Sequence, residues 1–246
     1  MLHNGNNSNF YRYSISGNSW VGSTVSSLAS VPTSISDGAS LIRNGEDDYI
    51  YTFRGSPGNA FYAYSISGNS WVTLASPPAK LVPRKNGVIH DGGDYIYAIR
   101  GDFTSDFYRY SISGNSWVVR ASLPAAANTG SVIKGVGNFI YYFRHNTASF
   151  YRYSISGNSW TNLTSVPGTL TSGNSVVRHG ASDFIYVLRA SGSGSFYRYS
   201  ISGNSWTTLT NIPQNASLGA SLLSTDTGEI YALLGNNGTH FFKYVT

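Results

Sequence analysis

The stretch Phe10-Tyr-Arg-Tyr-Ser-Ile-Ser-Gly-Asn-Ser-Trp20 decides the fold, because the chain repeats it almost unchanged. Its copies end at five tryptophans spaced about 45 residues apart: Trp20, Trp71, Trp117, Trp160 and Trp206. A period of this size is typical of one propeller blade or one solenoid turn per copy. The sequence therefore predicts one supersecondary unit used repeatedly.

Two further segments recur in step with the first. One is a β-branched and aromatic run bounded by Gly, Asn, Asp or Ser, which is the pattern of a strand: 48–54, 94–100, 138–144, 183–189 and 229–234. The other is a short run of small and aliphatic residues that precedes it: 40–43, 87–90, 131–134, 175–178 and 221–224. Each unit thus has four predicted strands, A (the small-residue run), B (the aromatic run), C (Phe-Tyr-Arg-Tyr) and D (starting at Trp). Ser-Gly-Asn-Ser forms the C–D turn, since Gly and Asn accept positive φ.

These strands predict an all-β fold, a five-bladed β-propeller of four-stranded antiparallel blades. Strand C occurs a sixth time, at 241–246, so we expect the N- and C-terminal strands to share one blade and close the ring. The length suits a single domain over residues 1–246. Its repeat units span about 10–60, 61–106, 107–149, 150–195 and 196–240, followed by the closing strand 241–246.

The repeat resembles that of the kelch family, in which a Tyr and a Trp lie seven positions apart around the C–D turn. The matching pairs here are Tyr13 and Trp20, Tyr64 and Trp71, Tyr110 and Trp117, Tyr153 and Trp160, and Tyr199 and Trp206. The kelch Gly-Gly pair after strand B is not kept, since its first position holds Arg54, Arg100, Arg144, Arg189 and Leu234. The resemblance implies a propeller and suits a protein-interaction subunit.

Composition excludes several classes of function. The chain has no cysteine, so thiol chemistry and a disulfide framework are absent. The net charge is +5, but the basic residues recur once per repeat instead of forming a run, and we expect no nucleic-acid partner. No apolar stretch approaches the length of a membrane span, so no membrane insertion is expected. No secretory signal precedes the repeats, and an extracellular or virion-associated protein delivered by another route is favoured.

Catalysis is not expected either. The histidines are scattered without metal-site spacing, so we predict solvated loop histidines, no metal and no cofactor. Acidic residues cluster in two loops, at Glu46, Asp47 and Asp48 and at Asp102 and Asp106. Either group could serve a glycosidase, but we interpret both as solvated turn residues. Nearly identical blades also argue against an active site, which needs different residues on different blades.

The variable parts of the repeat are the loops. In an antiparallel meander the B–C and D–A loops lie at one end of each sheet, and these loops differ between copies while the C–D turn does not. A rigid scaffold that presents variable loops is the usual arrangement for recognition. The arginines that end strand B belong to the same end, and we predict them as the ligand-binding residues: Arg54, Arg100, Arg144 and Arg189. The alternative is that each binds a local carbonyl group or stacks on a neighbouring ring.

The sequence as a whole favours a non-catalytic recognition module. A lectin-like or adhesion domain, for example on a virion, fits the surface rich in Asn, Ser, Gly and Tyr and the multiple similar blades. The expected partner is a glycan or a protein surface, with acidic character suited to the arginines. A protein-interaction module or a structural subunit of a larger assembly is the alternative, and a glycan hydrolase is the least favoured.

The shared blade can be tested by truncation. Deleting residues 241–246 removes a strand C that the copy at Phe10 duplicates, whereas deleting residues 1–25 removes the strand D that belongs to the same blade. We expect the second deletion to lower the melting temperature far more than the first. Equal losses in thermal denaturation would contradict the shared blade.

Overall fold

The structure is a computed structural model of the full chain. It describes residues 8–22, 28–35, 39–43, 47–55, 58–81, 87–127, 130–171, 173–190, 192–225, 228–235 and 240–245. Backbone contacts divide the chain into two compact units, unit 1 (Met1–Asn128) and unit 2 (Thr129–Thr246), and each is described by itself. The prediction of one domain with the repeat bounds given above stays a prediction.

The described residues of unit 1 form ten strands in three antiparallel sheets. The first sheet pairs β1 with β2, the second runs β3-β4-β5-β6, and the third runs β7-β8-β9-β10. The strands are β1 (Tyr11–Ser14), β2 (Ser19–Gly22), β3 (Leu41–Ile42), β4 (Tyr49–Phe53), β5 (Phe61–Ser65), β6 (Ser70–Leu74), β7 (Val88–His90), β8 (Tyr95–Ile99), β9 (Phe107–Ser111) and β10 (Ser116–Val119).

In unit 2, the part of the chain that the structure describes forms eleven strands, also in three antiparallel sheets. Their orders are β11-β12-β13-β14, β15-β16-β17-β18 and β19-β20-β21. The strands are β11 (Gly130–Lys134), β12 (Phe139–Arg144), β13 (Phe150–Ser154), β14 (Ser159–Asn162), β15 (Ser175–Arg178), β16 (Phe184–Leu188), β17 (Phe196–Ser200), β18 (Ser205–Leu209), β19 (Ser221–Ser224), β20 (Glu229–Leu233) and β21 (Phe241–Val245).

The predicted fold class is confirmed. The described residues form strands and no helix, and the antiparallel sheets are the blades of a five-bladed β-propeller. The predicted strand types A, B, C and D follow one another in each four-stranded sheet. Unit 1 begins with strands C and D, and unit 2 ends with strands A, B and C. The sharing of one blade between the two ends stays a prediction.

In three of the sheets the repeated C–D turn is hydrogen-bonded to the loop that precedes the sheet. In the third sheet of unit 1, Asn115 takes the left-handed conformation at φ 41°, and its Oδ1 accepts hydrogen bonds from Tyr110 Oη at 2.8 Å and from the Ala75 amide at 2.8 Å. Trp117 Nε1 donates to the carbonyl oxygen of the same Ala75 at 2.8 Å. The backbone amide and carbonyl group of Ala75, in the loop after β6, are therefore both bound by the next sheet. We call this arrangement the Asn–Trp clamp.

The clamp recurs in both units. In unit 1, Asn69 and Trp71 bind the amide and the carbonyl group of Ala29, each at 2.9 Å. In unit 2, Asn204 and Trp206 bind the same two groups of Thr164, at 3.0 and 2.8 Å. The motif that repeats in the sequence is thus the motif that links successive sheets.

Aromatic rings fill the core beside each clamp. Phe61 and Tyr110 are almost fully buried, and their ring centroids lie 4.9 Å apart in an edge-on arrangement. Trp117 packs on both, at 5.5 Å from Phe61 and 5.1 Å from Tyr110. Phe150, Tyr199 and Trp206 make the corresponding cluster in unit 2. Trp117 and Trp206 thus each pack beside their strand-C tyrosine, and Trp117 is half-buried.

We expect Trp117→Ala to lower the free energy of unfolding by about 3 kcal/mol, since it removes ring packing and one clamp hydrogen bond. Chemical denaturation of the purified protein measures the loss. Val118→Ala is the matched control, because Val118 is the next residue of the same strand and is exposed, and a change within about 0.5 kcal/mol is expected there. Equal effects of the two substitutions would contradict a structural role for the clamp.

Candidate functional site

The variable loops are fixed to one another at one end of the sheets. In unit 1 the B–C loop after β8 forms an isolated β-bridge with the D–A loop after β10, between Thr104 and Ala127. Unit 2 has the same bridge twice, Thr147 with Leu170 and Ser193 with Ala216. We call the B–C and D–A loops of one sheet together its loop end.

A second hydrogen bond ties each of these loop pairs at its base. The amides of Leu123, Val166 and Ile212 donate to carbonyl groups of Ser105, Ala148 and Gly194 at 2.8–3.0 Å. Each loop end is therefore a rigid support whose remaining positions are free to vary. Rigid support with variable residues is typical of a recognition surface.

The residue before each bridge takes a left-handed backbone conformation, and the three copies fill it differently. Asn146 (φ 59°) and Gly192 (φ 70°) are residue types that tolerate positive φ. The third is Phe103 at φ 59°, which follows Asp102 at φ 54°. For a residue with a Cβ such a conformation costs about 1–2 kcal/mol. Burial does not offset this cost, because the Phe103 side chain is 73% exposed.

Phe103 lies in a short loop closed by its own hydrogen bonds. The Thr104 amide donates to the carbonyl oxygen of Gly101 at 3.1 Å, and the Arg100 amide donates to that of Asp106 at 3.0 Å. The turn Gly101–Thr104 has positive φ at both central residues, Asp102 and Phe103, a geometry that favours Asn and Gly. An exposed aromatic ring is thus held on a fixed and unfavourable backbone.

The four predicted arginines all lie at or just after the ends of their B strands and are half-buried, Arg54 and Arg100 in unit 1 and Arg144 and Arg189 in unit 2. Arg54 Nε donates to the Ser34 carbonyl group at 3.3 Å, and Arg189 Nε donates to that of Thr169 at 2.9 Å. These contacts hold the loops that precede their sheets. They match the alternative in which the arginines bind local carbonyl groups, and a role in ligand binding stays a prediction.

Arg100 differs from the other arginines. It has a carboxylate partner, since its Nη1 lies 2.8 Å from Asp106 Oδ2. Tyr108 Oη donates to the same carboxylate oxygen at 3.2 Å. The hydrogen bond to Asp106 raises the pKa of Arg100, and burial raises that of Tyr108. Both ends of the ion pair stay about one-third exposed.

The arginines within strand C stack on aromatic rings. The guanidinium carbons of Arg109, Arg152 and Arg198 lie 4.1–4.4 Å from the ring centroids of Tyr95, Phe139 and Phe184. Each ring belongs to strand B of the same sheet. These arginines therefore make cation–π contacts within one blade.

At the opposite end of three of the sheets, an acidic residue has a structural role. Asp48 accepts hydrogen bonds from the hydroxyls of Ser65 and Ser67 and from the Ser67 amide, at 2.7–2.9 Å. Asp94 and Asp183 bind the corresponding serines. The serine hydrogen bonds lower the pKa of all three carboxyls. These aspartates therefore stabilise the C–D turn. Their lowered pKa does not suit a general acid, which needs a raised pKa.

The other acidic candidates belong to the two loops of unit 1 named in the sequence analysis. Asp106 is bound by Arg100, Asp102 occupies the strained turn, and Glu46 lies outside the described residues. Among the residues that the structure describes, no group of three His, Cys, Asp or Glu could hold a metal ion. No helix in that part of the chain is long and apolar enough to span a membrane.

The histidines correct one expectation. His90 and His145 are buried rather than solvated, at 7% and 5% exposure. His90 Nδ1 accepts the Gly92 amide at 2.9 Å, which closes the turn after β7. His179 Nδ1 lies 2.8 Å from Ser224 Oγ. The first contact stabilises a turn, and the second joins residues at the ends of β15 and β19. Both histidines therefore have a structural role.

Phe103 was missed by sequence reasoning, although a signal was present. Aligned on the residues that form the bridges, the loops place Phe103 beside Asn146 and Gly192, two residue types that favour turns. A phenylalanine among them indicates a side chain kept for another purpose. The arginines were predicted as binding residues because they recur in the repeat. A phenylalanine occurs at this position in one loop only.

The comparisons with known proteins show the fold and no more. No family model matches the chain, and no curated protein is similar to it in sequence. The solved structure of YjhT matches with a TM-score of 0.62 and 15% sequence identity, over 84% of this chain and 74% of that chain. This likeness supports the five-bladed β-propeller, and the resemblance to kelch repeats is not confirmed.

Acid should destabilise the protein through the turn aspartates. Their lowered pKa values mean that the folded state favours the carboxylate, so its stabilisation is present above the ordinary pKa of 3.8 and is lost as the pH falls below it. We expect the melting temperature to fall between roughly pH 5 and pH 2.5.

The chain supplies its own control for this effect. Asn138 holds the same position in the first sheet of unit 2 and binds Ser154 and Ser156 through its amide group, which does not titrate. The triple variant with Asp48→Asn, Asp94→Asn and Asp183→Asn should fold and lose less of its melting temperature in acid. An unchanged pH profile would show that other groups carry the acid sensitivity.

Proposed function

We propose that the chain is a non-catalytic recognition module that binds a glycan through the loop ends of its sheets. The observation that carries the proposal is the pairing of rigid loop bases with variable loop residues. Ligand sites on repeat folds use such loops because the scaffold holds them in place while their residues differ. The near-identical strands below them supply stability and no diversity.

The hydrogen bonds and the ion pair of the acidic side chains support a role in binding without catalysis. Asp48, Asp94 and Asp183 are engaged with turn serines, and Asp106 is paired with Arg100. Retaining and inverting glycosidases both need two free carboxyl groups across one sugar bond. The carboxyl groups of these four residues already bind protein partners, so we assign no hydrolytic step to the loop ends.

A protein partner is the second candidate, and an apolar pocket of about 440 Å³ in unit 1 favours it. Tyr13 and Trp20 line this pocket and are 43% and 53% exposed, whereas the corresponding tyrosines of the four-stranded sheets are buried. Exposed aromatic residues around a pocket are typical of protein-interaction sites. A protein that docks there would leave the loop ends free.

The choice between the ends of a sheet can be tested with two arginines of one blade. Arg54 lies at the loop end of the sheet β3–β6, and Arg43 lies at the other end, where its Nη2 donates to the Asp47 carbonyl group at 3.2 Å. A glycan array identifies the ligands of the wild type. We expect Arg54→Gln to weaken binding about tenfold, with a smaller salt dependence if the ligand is acidic, and Arg43→Gln to have no effect.

Thermal unfolding of both variants corrects for any loss of folded protein. A loss of binding with Arg43→Gln alone would place the ligand at the opposite end. An array without any bound glycan would reject the glycan proposal and leave the protein partner as the remaining candidate.

A further inference from the structure

One loop end carries an exposed aromatic side chain that the fold does not use. Phe103 is 73% exposed and stands on a left-handed backbone, where the corresponding loops of unit 2 have Asn146 and Gly192. Residues held in unfavourable conformations cluster at functional sites, because the surrounding structure must overcome their cost. Here the bridge between Thr104 and Ala127 and the turn hydrogen bond to Gly101 hold the conformation.

The polar groups in the loop that carries Phe103 are suited to hydroxyl groups. The same loop contains the ion pair of Arg100 and Asp106, with about one-third of each side chain exposed. Arg100 presents only donors and Asp106 only acceptors, and Arg100 Nε is buried without a hydrogen-bond partner. A sugar hydroxyl both donates and accepts, so it can bond to both members of such a pair.

The charge of the loop argues against an anion at this position. Asp106 neutralises Arg100, and Asp102 adds a further negative charge next to the ring. An anionic ligand would therefore meet no net positive field there. An uncharged ring with apolar CH groups on one side and hydroxyls at its edge satisfies both the exposed phenylalanine and the ion pair.

We propose that Phe103 is the stacking platform of a subsite for an uncharged pyranose unit, with Arg100 and Asp106 bound to its hydroxyl groups. The inference rests on the proposed glycan-binding function and deepens it by naming a residue and a sugar class. The aromatic ring supplies most of the contact, because large rigid side chains dominate small recognition surfaces. The ion pair orients the sugar.

Neutral oligosaccharides that the wild type binds on a glycan array serve as probes, and titration calorimetry measures their dissociation constants. Phe103→Asn removes the ring and places there the residue type of Asn146. We expect at least about a tenfold weaker binding together with a melting temperature about 2–5 °C higher, since Asn accepts positive φ. Phe103→Tyr keeps the ring and should bind within about threefold of the wild type.

Val119→Asn is the control, because Val119 is an exposed apolar residue of β10 outside the loop, and its binding should equal that of the wild type. Undiminished binding by Phe103→Asn overturns the subsite while the proposed function stands. A lower melting temperature for that variant also overturns it, since the ring would then stabilise the fold. A wild type that binds no glycan, or only a protein, overturns the proposed function and the subsite together.

Discussion

The structure depends on the hydrogen bonds with which a turn asparagine and a tryptophan hold the backbone amide and carbonyl group of one residue in the preceding loop. In the sheet β7–β10, Asn115 and Trp117 bind the amide and the carbonyl group of Ala75, and Tyr110 orients the asparagine. A loop between sheets otherwise leaves backbone groups that water must satisfy. Because the clamp satisfies them from within the neighbouring sheet, the loop becomes part of the framework. In the three copies that form the clamp, the aromatic rings pack beside these bonds in a similar way.

Much of this fold could be predicted from the sequence, for a physical reason. Repetition shows which residues belong to the unit, and β-branched and aromatic runs between turn residues, such as the run that contains Tyr95–Ile99, mark the strands. The strand order follows, since short turns connect antiparallel neighbours. What repetition could not show is the partner of each polar side chain. The Asn115 turn was interpreted as permissive backbone, whereas its side chain makes the link between sheets.

The candidate site was less predictable, because the sequence carries no distances. Arg100 and Asp106 were noted separately, yet the closure of the loop between them forms an ion pair. The histidines were predicted to be solvated loop residues, whereas His90 and His145 are buried. Phe103 stood out only after the backbone angles showed that its position favours glycine or asparagine. The features that repeat indicate the fold, whereas the exception, Phe103, is the residue that we propose as a ligand contact.

The clamp binds backbone groups, and this has an evolutionary consequence. The residue held between Asn and Trp is Ala29 or Ala75 in unit 1 and Thr164 in unit 2, and the bonds use none of their side-chain atoms. A mutation in the held loop thus leaves the donor and acceptor in place, and a copied segment meets the same two groups in its new position. In-frame duplication of a repeat creates a compatible joint without any compensating substitution. A gene built in this way can gain copies and diversify their loops independently, which accounts for strands that have stayed alike beneath loops that have not.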